Sequence, residues 1–163
     1  MNAQPVRIVP ARPTDPRSAQ ALTAYASEVR EAAGLTALEP RSAVSEVAGF
    51  SPPAGCFLLA LADDRAVGCV GLQPVDAATA EIKRMWVHPA QRRTGLGSRL
   101  LNAVEDQARE RGYTRLLLDT HRALTAAVRF YTKHGYRSVA RYNDNPDATN
   151  FYGKDLRTQG GIR

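Results

Sequence analysis

The segment from residue 80 to residue 101, AEIKRMWVHPAQRRTGLGSRLL, constrains the fold more than any other part of the chain. An apolar strand pattern ends at a His-Pro pair, and after a short loop an amphipathic helix pattern begins at Gly95. The first turn of a helix leaves backbone N–H groups without intrahelical partners, and the helix dipole adds partial positive charge there. Gly95 and Gly97 let the backbone approach a ligand closely, and Arg92 and Arg93 add full charges. The junction therefore predicts a phosphate-binding loop.

The periodicity of apolar residues divides the rest of the chain into helices and strands. Alternation of apolar and polar residues, or a short apolar run, predicts a strand, whereas spacings of three and four predict a helix. Strands are predicted at residues 6–9, 56–62, 65–74, 81–87, 114–120, 136–142 and 150–156, and helices at 18–33, 41–48, 95–111 and 125–134. This order implies an α/β (α+β) domain, with a mixed, mostly antiparallel sheet of about seven strands and helices on both faces. We expect residues 1–163 to form one domain.

The charge balance limits the classes of ligand. With 22 Lys and Arg against 16 Asp and Glu, the chain has a formal net charge of +6. Such a charge suits nucleic acid, an acidic membrane surface or an anionic small ligand. The basic residues are scattered, and the one sharp cluster, Arg92-Arg93, lies beside the two glycines, whereas nucleic-acid-binding surfaces more often show a long basic stripe with interleaved aromatics. The distribution favours an anionic small ligand and leaves nucleic-acid binding as an alternative.

Other features of the sequence concern the compartment and metal sites. No apolar run approaches the ~20 residues that span a bilayer, and the first residues lack the apolar core of a secretory signal. Cys56 and Cys69 lie in apolar, strand-like stretches, as buried thiols of a reducing compartment do. His88, His121 and His134 show no metal-ligand spacing. We expect a cytoplasmic protein with no metal site.

The spacing of the glycines separates this loop from other phosphate-binding loops. The Gly-Leu-Gly sequence lacks the third glycine of the dinucleotide fingerprint, and no Lys-Ser or Lys-Thr pair follows it, as in a Walker-type loop. The arrangement Arg92-x-x-Gly95-x-Gly97 resembles the acyl-CoA signature of the GNAT superfamily, the Gcn5-related N-acetyltransferases. The resemblance implies that the loop binds the pyrophosphate of acetyl-coenzyme A (acetyl-CoA). The loop residues that it assigns to this cofactor are Arg92, Arg93, Thr94, Gly95, Leu96, Gly97 and Ser98.

The resemblance extends to two predicted strands. Residues 81–87 resemble the fourth strand of the family, which holds the pantetheine arm through backbone hydrogen bonds after a bulge. This implies main-chain contacts to the cofactor at Met85 and Val87. The LLLDT sequence at residues 116–120 resembles the fifth strand, which splays from the fourth and opens a cleft for the thioester.

Two catalytic residues are implied by the same resemblance. Residues 127–136, AVRFYTKHGY, resemble the family stretch in which a tyrosine, here Tyr131, protonates the leaving thiolate, and an ordinary tyrosine with a pKa near ~10 keeps its proton at neutral pH. Glu81 matches the position of the glutamate that serves histone-type members as general base, directly or through water. Tyr131 is also consistent with a core aromatic that shares a helix face with Val128. Glu81 is also consistent with a solvated residue on an exposed face, or with a partner for Lys83 or Arg84.

One position departs from the family pattern. Members that acetylate protein N-termini carry asparagine seven residues before the tyrosine, where this chain has Leu124. The departure disfavours a ribosomal-protein N-terminus as the acceptor. Tyr142, Asn143 and the NDNP turn are candidates for the acceptor pocket, and Asp119 has no assigned role.

Taken together, the residues and the resemblance predict an acetyl-CoA-dependent N-acetyltransferase. Direct transfer in a ternary complex to a primary amine of a small molecule or peptide is expected, because no activated nucleophile is apparent. A homodimer is compatible with the resemblance, and neither nucleic acid nor a membrane is an expected partner. A non-catalytic acyl-CoA-binding or regulatory module on the same fold and a nucleic-acid-binding protein are the alternatives.

Overall fold

The computed structural model describes residues 5–33 and 49–157, and every structural statement below concerns these residues. Seven strands form one sheet in the order β1-β2-β3-β4-β5-β7-β6. The strands are β1 (Val6–Pro10), β2 (Cys56–Ala62), β3 (Arg65–Pro74), β4 (Thr79–Val87), β5 (Arg115–Thr120), β6 (Arg137–Ser138) and β7 (Asn150–Asp155). The helices are α1 (Pro16–Ala33), α2 (Leu96–Glu110) and α3 (Thr125–Lys133), and a 3-10 turn spans Pro89–Gln91.

The pairing of the strands confirms the expected mixed, mostly antiparallel sheet. Neighbouring strands run antiparallel except β4 and β5, which are parallel. Every residue of β2 is buried, as is typical of a strand covered on both faces. Within the described residues no helix is both long enough and apolar enough to cross a membrane.

Two apolar cores lie on opposite faces of the sheet. On one face α2 buries Leu96, Leu100 and Val104 against the sheet, and each such side chain contributes roughly 1.5–3 kcal/mol of transfer free energy. On the other face α1 packs Ala21 and Leu22 against the sheet. The helices thus cover both faces, as the amphipathic patterns predict.

A β-bulge in β4 and the divergence of β4 from β5 shape the middle of the sheet. Cys69 pairs with Trp86 and Gly71 pairs with Lys83, so two residues of β4 oppose one residue of β3. The bulged residue Arg84 has φ +59°, a left-handed conformation that glycine usually supplies in such bulges. β4 and β5 pair over three residue pairs only, the last of which is Glu81 with Leu117.

Most predicted elements are confirmed to within two residues, and one is wrong in length. The predicted strand at 136–142 is only two residues long, Arg137–Ser138. The chain then leaves the sheet because the Arg141 guanidinium holds a loop by donating to the carbonyls of Asn143, Asn145 and Ala148. The helix predicted at residues 41–48 lies outside the described residues.

Candidate functional site

The loop before α2 has the geometry that its glycines predict. Gly95 is the N-cap of α2 with φ +87°, and a Cβ at this position would meet nothing within 4 Å. Backbone conformation, and not lack of space, therefore requires glycine here. The first intrahelical bond runs from Arg99 N to Gly95 O at 3.1 Å, so the N–H groups of Leu96, Gly97 and Ser98 lie at the open end of the helix.

Gly97 and Ser98 join the first turn of α2 to α3. A Cβ on Gly97 would lie 3.4 Å from the Phe130 ring, so a larger residue would press on α3. Ser98 Oγ lies 3.0 Å from His134 Nε2, and His134 Nδ1 lies 2.8 Å from the Phe130 carbonyl. No local pattern predicts this pair, because the two residues are 36 positions apart in the sequence.

The two loop arginines have different surroundings. Arg92 Nε donates to the Val87 carbonyl at 3.1 Å, and its Nη2 donates to the Glu28 carboxylate of α1 at 2.6 Å. Arg93 is exposed with φ +66°. Thr94 Oγ1 donates to the Gln91 carbonyl at 2.5 Å. Arg92 therefore connects the loop to α1, and Arg93 offers its charge to the solvent beside the helix terminus.

A cleft of about 480 Å³ opens where β4 and β5 diverge. Tyr131 of α3 lies in its wall, and its phenol donates to Met85 Sδ at 3.4 Å. Burial raises the pKa of Tyr131 well above its ordinary value, so the phenol keeps its proton at neutral pH. The lining residues are Tyr25, Val29, Ile82, Lys83, Arg84, Met85, Leu118, Asp119, Thr120, His121, Leu124, Ala127, Tyr131, Asn145, Pro146, Asp147 and Ala148.

Glu81 is the centre of a polar network at the edge of this cleft. It is only 8% exposed, so the interpretation as an exposed strand residue is wrong. Its Oε2 atom accepts from the Tyr142 phenol at 2.6 Å and from Asn143 Nδ2 at 3.4 Å, and it lies 3.7 Å from Lys83 Nζ. All three contacts involve Oε2, which leaves Oε1 for other partners.

Tyr142 and Asn143 connect Glu81 to the far strand of the cleft. Burial, followed by the hydrogen bond to Glu81, raises the pKa of Tyr142 far above its ordinary value. Asn143 Nδ2 also donates to Asp119 Oδ2 at 2.6 Å. The structure therefore brings together Glu81, Asp119 and the two acceptor-pocket candidates.

Some residues of the cleft carry no signal in the sequence. Tyr25 of α1 and Asp147 line the cleft, although neither belongs to a recognisable motif. Arg84 also lines the cleft. The one hint of this in the sequence is that it is a second cation, next to Lys83, in a strand whose other residues after Glu81 are apolar. Leu124, the position that departs from the family pattern, also lines the cleft.

Comparison with known proteins agrees with this geometry. A sequence profile of the Acetyltransferase (GNAT) family matches residues 20–136, which confirms the resemblance. An uncharacterised N-acetyltransferase of Schizosaccharomyces pombe is 33% identical over 99 residues, or 60% of this chain and 61% of that relative. The chain thus spans less than two thirds of the length of this curated relative.

Solved structures share the whole fold. A GNAT-family acetyltransferase of Staphylococcus aureus superposes with a TM-score of 0.81 at 19% identity, covering 93% of this chain and 99% of that chain. An N-acetyltransferase of Thermoplasma acidophilum, solved in complex with coenzyme A, has a TM-score of 0.72 at 20% identity and covers 93% and 99%. At these identities the likeness concerns the fold.

Proposed function

Because the chain belongs to the GNAT family, an acyltransferase family that uses acetyl-CoA, we propose that it acetylates a primary amine of a small molecule or peptide. The observation that carries this proposal is the cleft between β4 and β5, which begins just beyond Glu81 and Leu117. Tyr131 and Met85 line this cleft, and Met85 lies on β4 between Glu81 and Val87, whose carbonyl accepts from Arg92.

The residues present fit the chemistry of coenzyme A. The open N–H groups of Leu96, Gly97 and Ser98, together with exposed Arg93, suit a pyrophosphate. The bulged strand offers backbone groups near Met85 and Val87 to an amide-bearing pantetheine arm. Arg92 supports the loop through its hydrogen bonds to Val87 and Glu28. Its guanidinium can bind a phosphate only after the ion pair with Glu28 has broken.

Acetyl-CoA supplies an activated acyl group, and the reaction joins the amine nitrogen to the acyl carbon as the carbon–sulfur bond breaks. The products are the N-acetyl amine, free coenzyme A thiol and one proton. Glu81 accepts the proton of the incoming ammonium through Oε1, by way of water, because Glu81 itself is not among the cleft-lining residues. Tyr131 donates its proton to the departing sulfur, and the second proton that the nitrogen loses restores the phenol. Direct transfer in a ternary complex is the simplest route, because both cysteines are buried and no activated nucleophile is apparent among the described residues.

Thermal unfolding with saturating acetyl-CoA, and with ATP and NAD as controls, tests the cofactor. A ligand at 100 times its Kd adds ~2.7 kcal/mol, hence roughly 5–10 °C for a domain of this size. A shift with acetyl-CoA alone supports the proposal, and no shift contradicts it.

Turnover is then measured as thiol release with a panel of primary amines. Both cysteines of the chain are buried free thiols, so the protein itself adds little background to a thiol reagent. Binding without release by any amine would identify a non-catalytic acyl-CoA-binding module.

A further inference from the structure

Lysine is rare in this chain. Of the 22 Lys and Arg residues, three are lysines, Lys83, Lys133 and Lys154. A lysine side chain ends in a primary amine, which is the group that the proposed reaction acetylates, whereas the guanidinium of arginine keeps its charge. The surroundings of the three lysines therefore decide whether the protein itself offers an acceptor.

Two of the lysines lie outside the cleft between β4 and β5. Lys133 is the last residue of α3 and is exposed. Lys154 of β7 is held by α2, because its Nζ donates to Glu105 Oε2 at 2.9 Å. The same Nζ lies 5.3 Å from the centroid of the Tyr136 ring, and the side chain is 14% exposed. These two residues are references for an open amine and for a held amine.

Lys83 lies in the cleft. It lines the same cavity as Tyr131, the proposed proton donor to the leaving sulfur. Its Nζ is 3.7 Å from Oε2 of Glu81, so one water or a small rotation of the side chain connects the amine to the proposed base. The side chain is 20% exposed, so the amine is not sealed in a core. One primary amine of the chain therefore lies beside the proposed base and in the same cleft as the proposed acid.

We propose that Lys83 is itself an acceptor of the acetyl group, and that the protein acetylates this residue when acetyl-CoA is present without another amine. This inference rests on the proposed function. An amine that is already held in the cleft reacts without the entropic cost of capturing a second molecule. Lys83 is on these grounds a modification site, in addition to its ion pair with Glu81.

The reaction balances in atoms and protons. Nζ of Lys83 forms a bond to the acyl carbon while the carbon–sulfur bond breaks. The ammonium loses two protons: Glu81 takes the first, and the second restores the phenol of Tyr131 after the phenol has protonated the thiolate. The products are N-acetyl-Lys83, the thiol of coenzyme A and one proton. The new amide is neutral, so the modification also ends the ion pair with Glu81.

Mass spectrometry of the protein incubated with acetyl-CoA alone tests this inference. Peptide mapping should locate an acetyl group at Lys83, formed at least about tenfold faster than at Lys133. Exposed Lys133 measures the uncatalysed reaction of acetyl-CoA with a lysine in the same sample. The rate at Lys83 should not depend on protein concentration, because the transfer occurs within one molecule. An excess of free coenzyme A, which competes for the cofactor site, should suppress acetylation of Lys83 and leave that of Lys133 unchanged.

Variants of the two lysines connect the modification to the residue. Lys83→Arg should abolish it while keeping a positive charge beside Glu81. Lys133→Arg is the matched control and should acetylate Lys83 as the parent does. Calorimetric titration gives the Kd of each variant for acetyl-CoA and shows whether the cofactor still binds.

A second measurement needs no cofactor. A short pulse of acetic anhydride labels each lysine according to how accessible its amine is. Lys83 should be labelled more slowly than exposed Lys133 and faster than Lys154, whose amine is held by Glu105. Labelling of Lys83 no faster than that of Lys154 would show that its amine is not available in the cleft, which overturns the inference.

The outcomes separate the two proposals. Thiol release with external amines but no acetyl group on Lys83 overturns the inference and leaves the acetyltransferase proposal standing. Equal rates at Lys83 and Lys133, a Lys83 rate that excess coenzyme A does not lower, or one that rises with protein concentration overturns the transfer within one molecule. Neither acetylation of Lys83 nor thiol release with any amine contradicts the proposed function itself.

Discussion

The phenol of Tyr142 donates a 2.6 Å hydrogen bond to Glu81 across 61 positions of sequence. The bond fixes Oε2 of the carboxylate, together with Asn143 and Lys83, and so orients Oε1. A loop residue thereby positions the candidate base on the central strand β4. The loop that carries the acceptor-pocket candidates and the candidate base are therefore one structural unit.

Glu81→Gln should flatten the acid limb of the pH–rate profile and lower kcat by about 10²-fold or more, because the amide cannot accept a proton. Tyr142→Phe is the control that keeps the carboxylate, and it should keep the acid limb while lowering kcat to a smaller extent. Steady-state thiol release between pH 6 and pH 9 measures both. If the profile of Glu81→Gln matches the parent, the base is water or another residue.

Tyr131→Phe should lower kcat by at least about tenfold and leave the Kd for acetyl-CoA little changed, because only the proton donor to the leaving sulfur is removed. The matched variant is Tyr113→Phe, whose phenol donates to the Ala54 carbonyl at 2.8 Å and does not line the cleft. Thiol release measures kcat, and calorimetric titration measures the Kd for acetyl-CoA. Turnover near that of the parent would remove Tyr131 from the mechanism.

Gly95 and Gly112 provide a matched pair at the two ends of α2. Both have positive φ, +87° and +88°, and a Cβ at either would meet nothing within 4 Å. Alanine should therefore destabilise the fold by a similar amount, about 1 kcal/mol, at each position. Only Gly95→Ala should weaken acetyl-CoA binding, and Gly95→Glu should abolish it by placing negative charge at the pyrophosphate. Equal affinity for acetyl-CoA in all variants would show that the pyrophosphate does not bind at the loop of Gly95.

Glu105 of α2 holds a buried polar cluster away from the cleft. It is 2% exposed and accepts from the Tyr136 phenol at 2.7 Å and from Lys154 Nζ at 2.9 Å. Glu105→Gln should destabilise the protein by about 2–4 kcal/mol, because it leaves the lysine charge without its partner. Asp106→Asn, an adjacent and exposed carboxylate paired with Arg109, should change the free energy of unfolding by less than ~0.5 kcal/mol. Urea denaturation measures the free energy of unfolding of both variants. Similar losses of stability would refute the role of Glu105 as the partner of the buried lysine.

Alkaline pH should destabilise the fold through buried phenols. Burial raises the pKa of Tyr131, Tyr136 and Tyr142 in the folded state, whereas unfolded tyrosine ionises near ~10. The folded state therefore binds more protons, so this contribution to stability is fully present below pH ~10 and is lost as the pH rises above it. Each phenol adds a slope of up to about 1.4 kcal/mol per pH unit. Tyr136→Phe should reduce the slope of the unfolding free energy above pH ~10, and an unchanged slope would contradict the expectation.

Local patterns predict the fold well because they act over short distances. The two glycines and the apolar face of α2 specify the phosphate loop and its helix from residues that are neighbours in sequence. The continuous apolar run at residues 56–62 likewise predicts a strand, which β2 confirms, and every residue of that strand is buried.

The acceptor side depends on contacts that no local pattern contains. The strand predicted at residues 136–142 stops at Ser138, because Arg141 finds carbonyl partners in its own loop and Tyr142 finds Glu81. The positive φ of Arg84 could not be predicted from the sequence either, because it arises from the register between β3 and β4 and not from a glycine. A family resemblance can suggest roles for Glu81 and Tyr131, but the contacts that surround these two residues come from tertiary structure.

The bulge at Arg84 also changes which residues of β4, even-numbered or odd-numbered, face each core. Before it, even-numbered Ala80 and Ile82 face the core under α2, and after it odd-numbered Met85 and Val87 pack there, with Trp86 turned to the opposite core. Deleting this one residue would restore unbroken alternation and a longer ladder with β3, with every flanking side chain still on its present face. The extra residue therefore interrupts the backbone ladder of β4 and leaves the burial of the flanking side chains as a regular strand would have it.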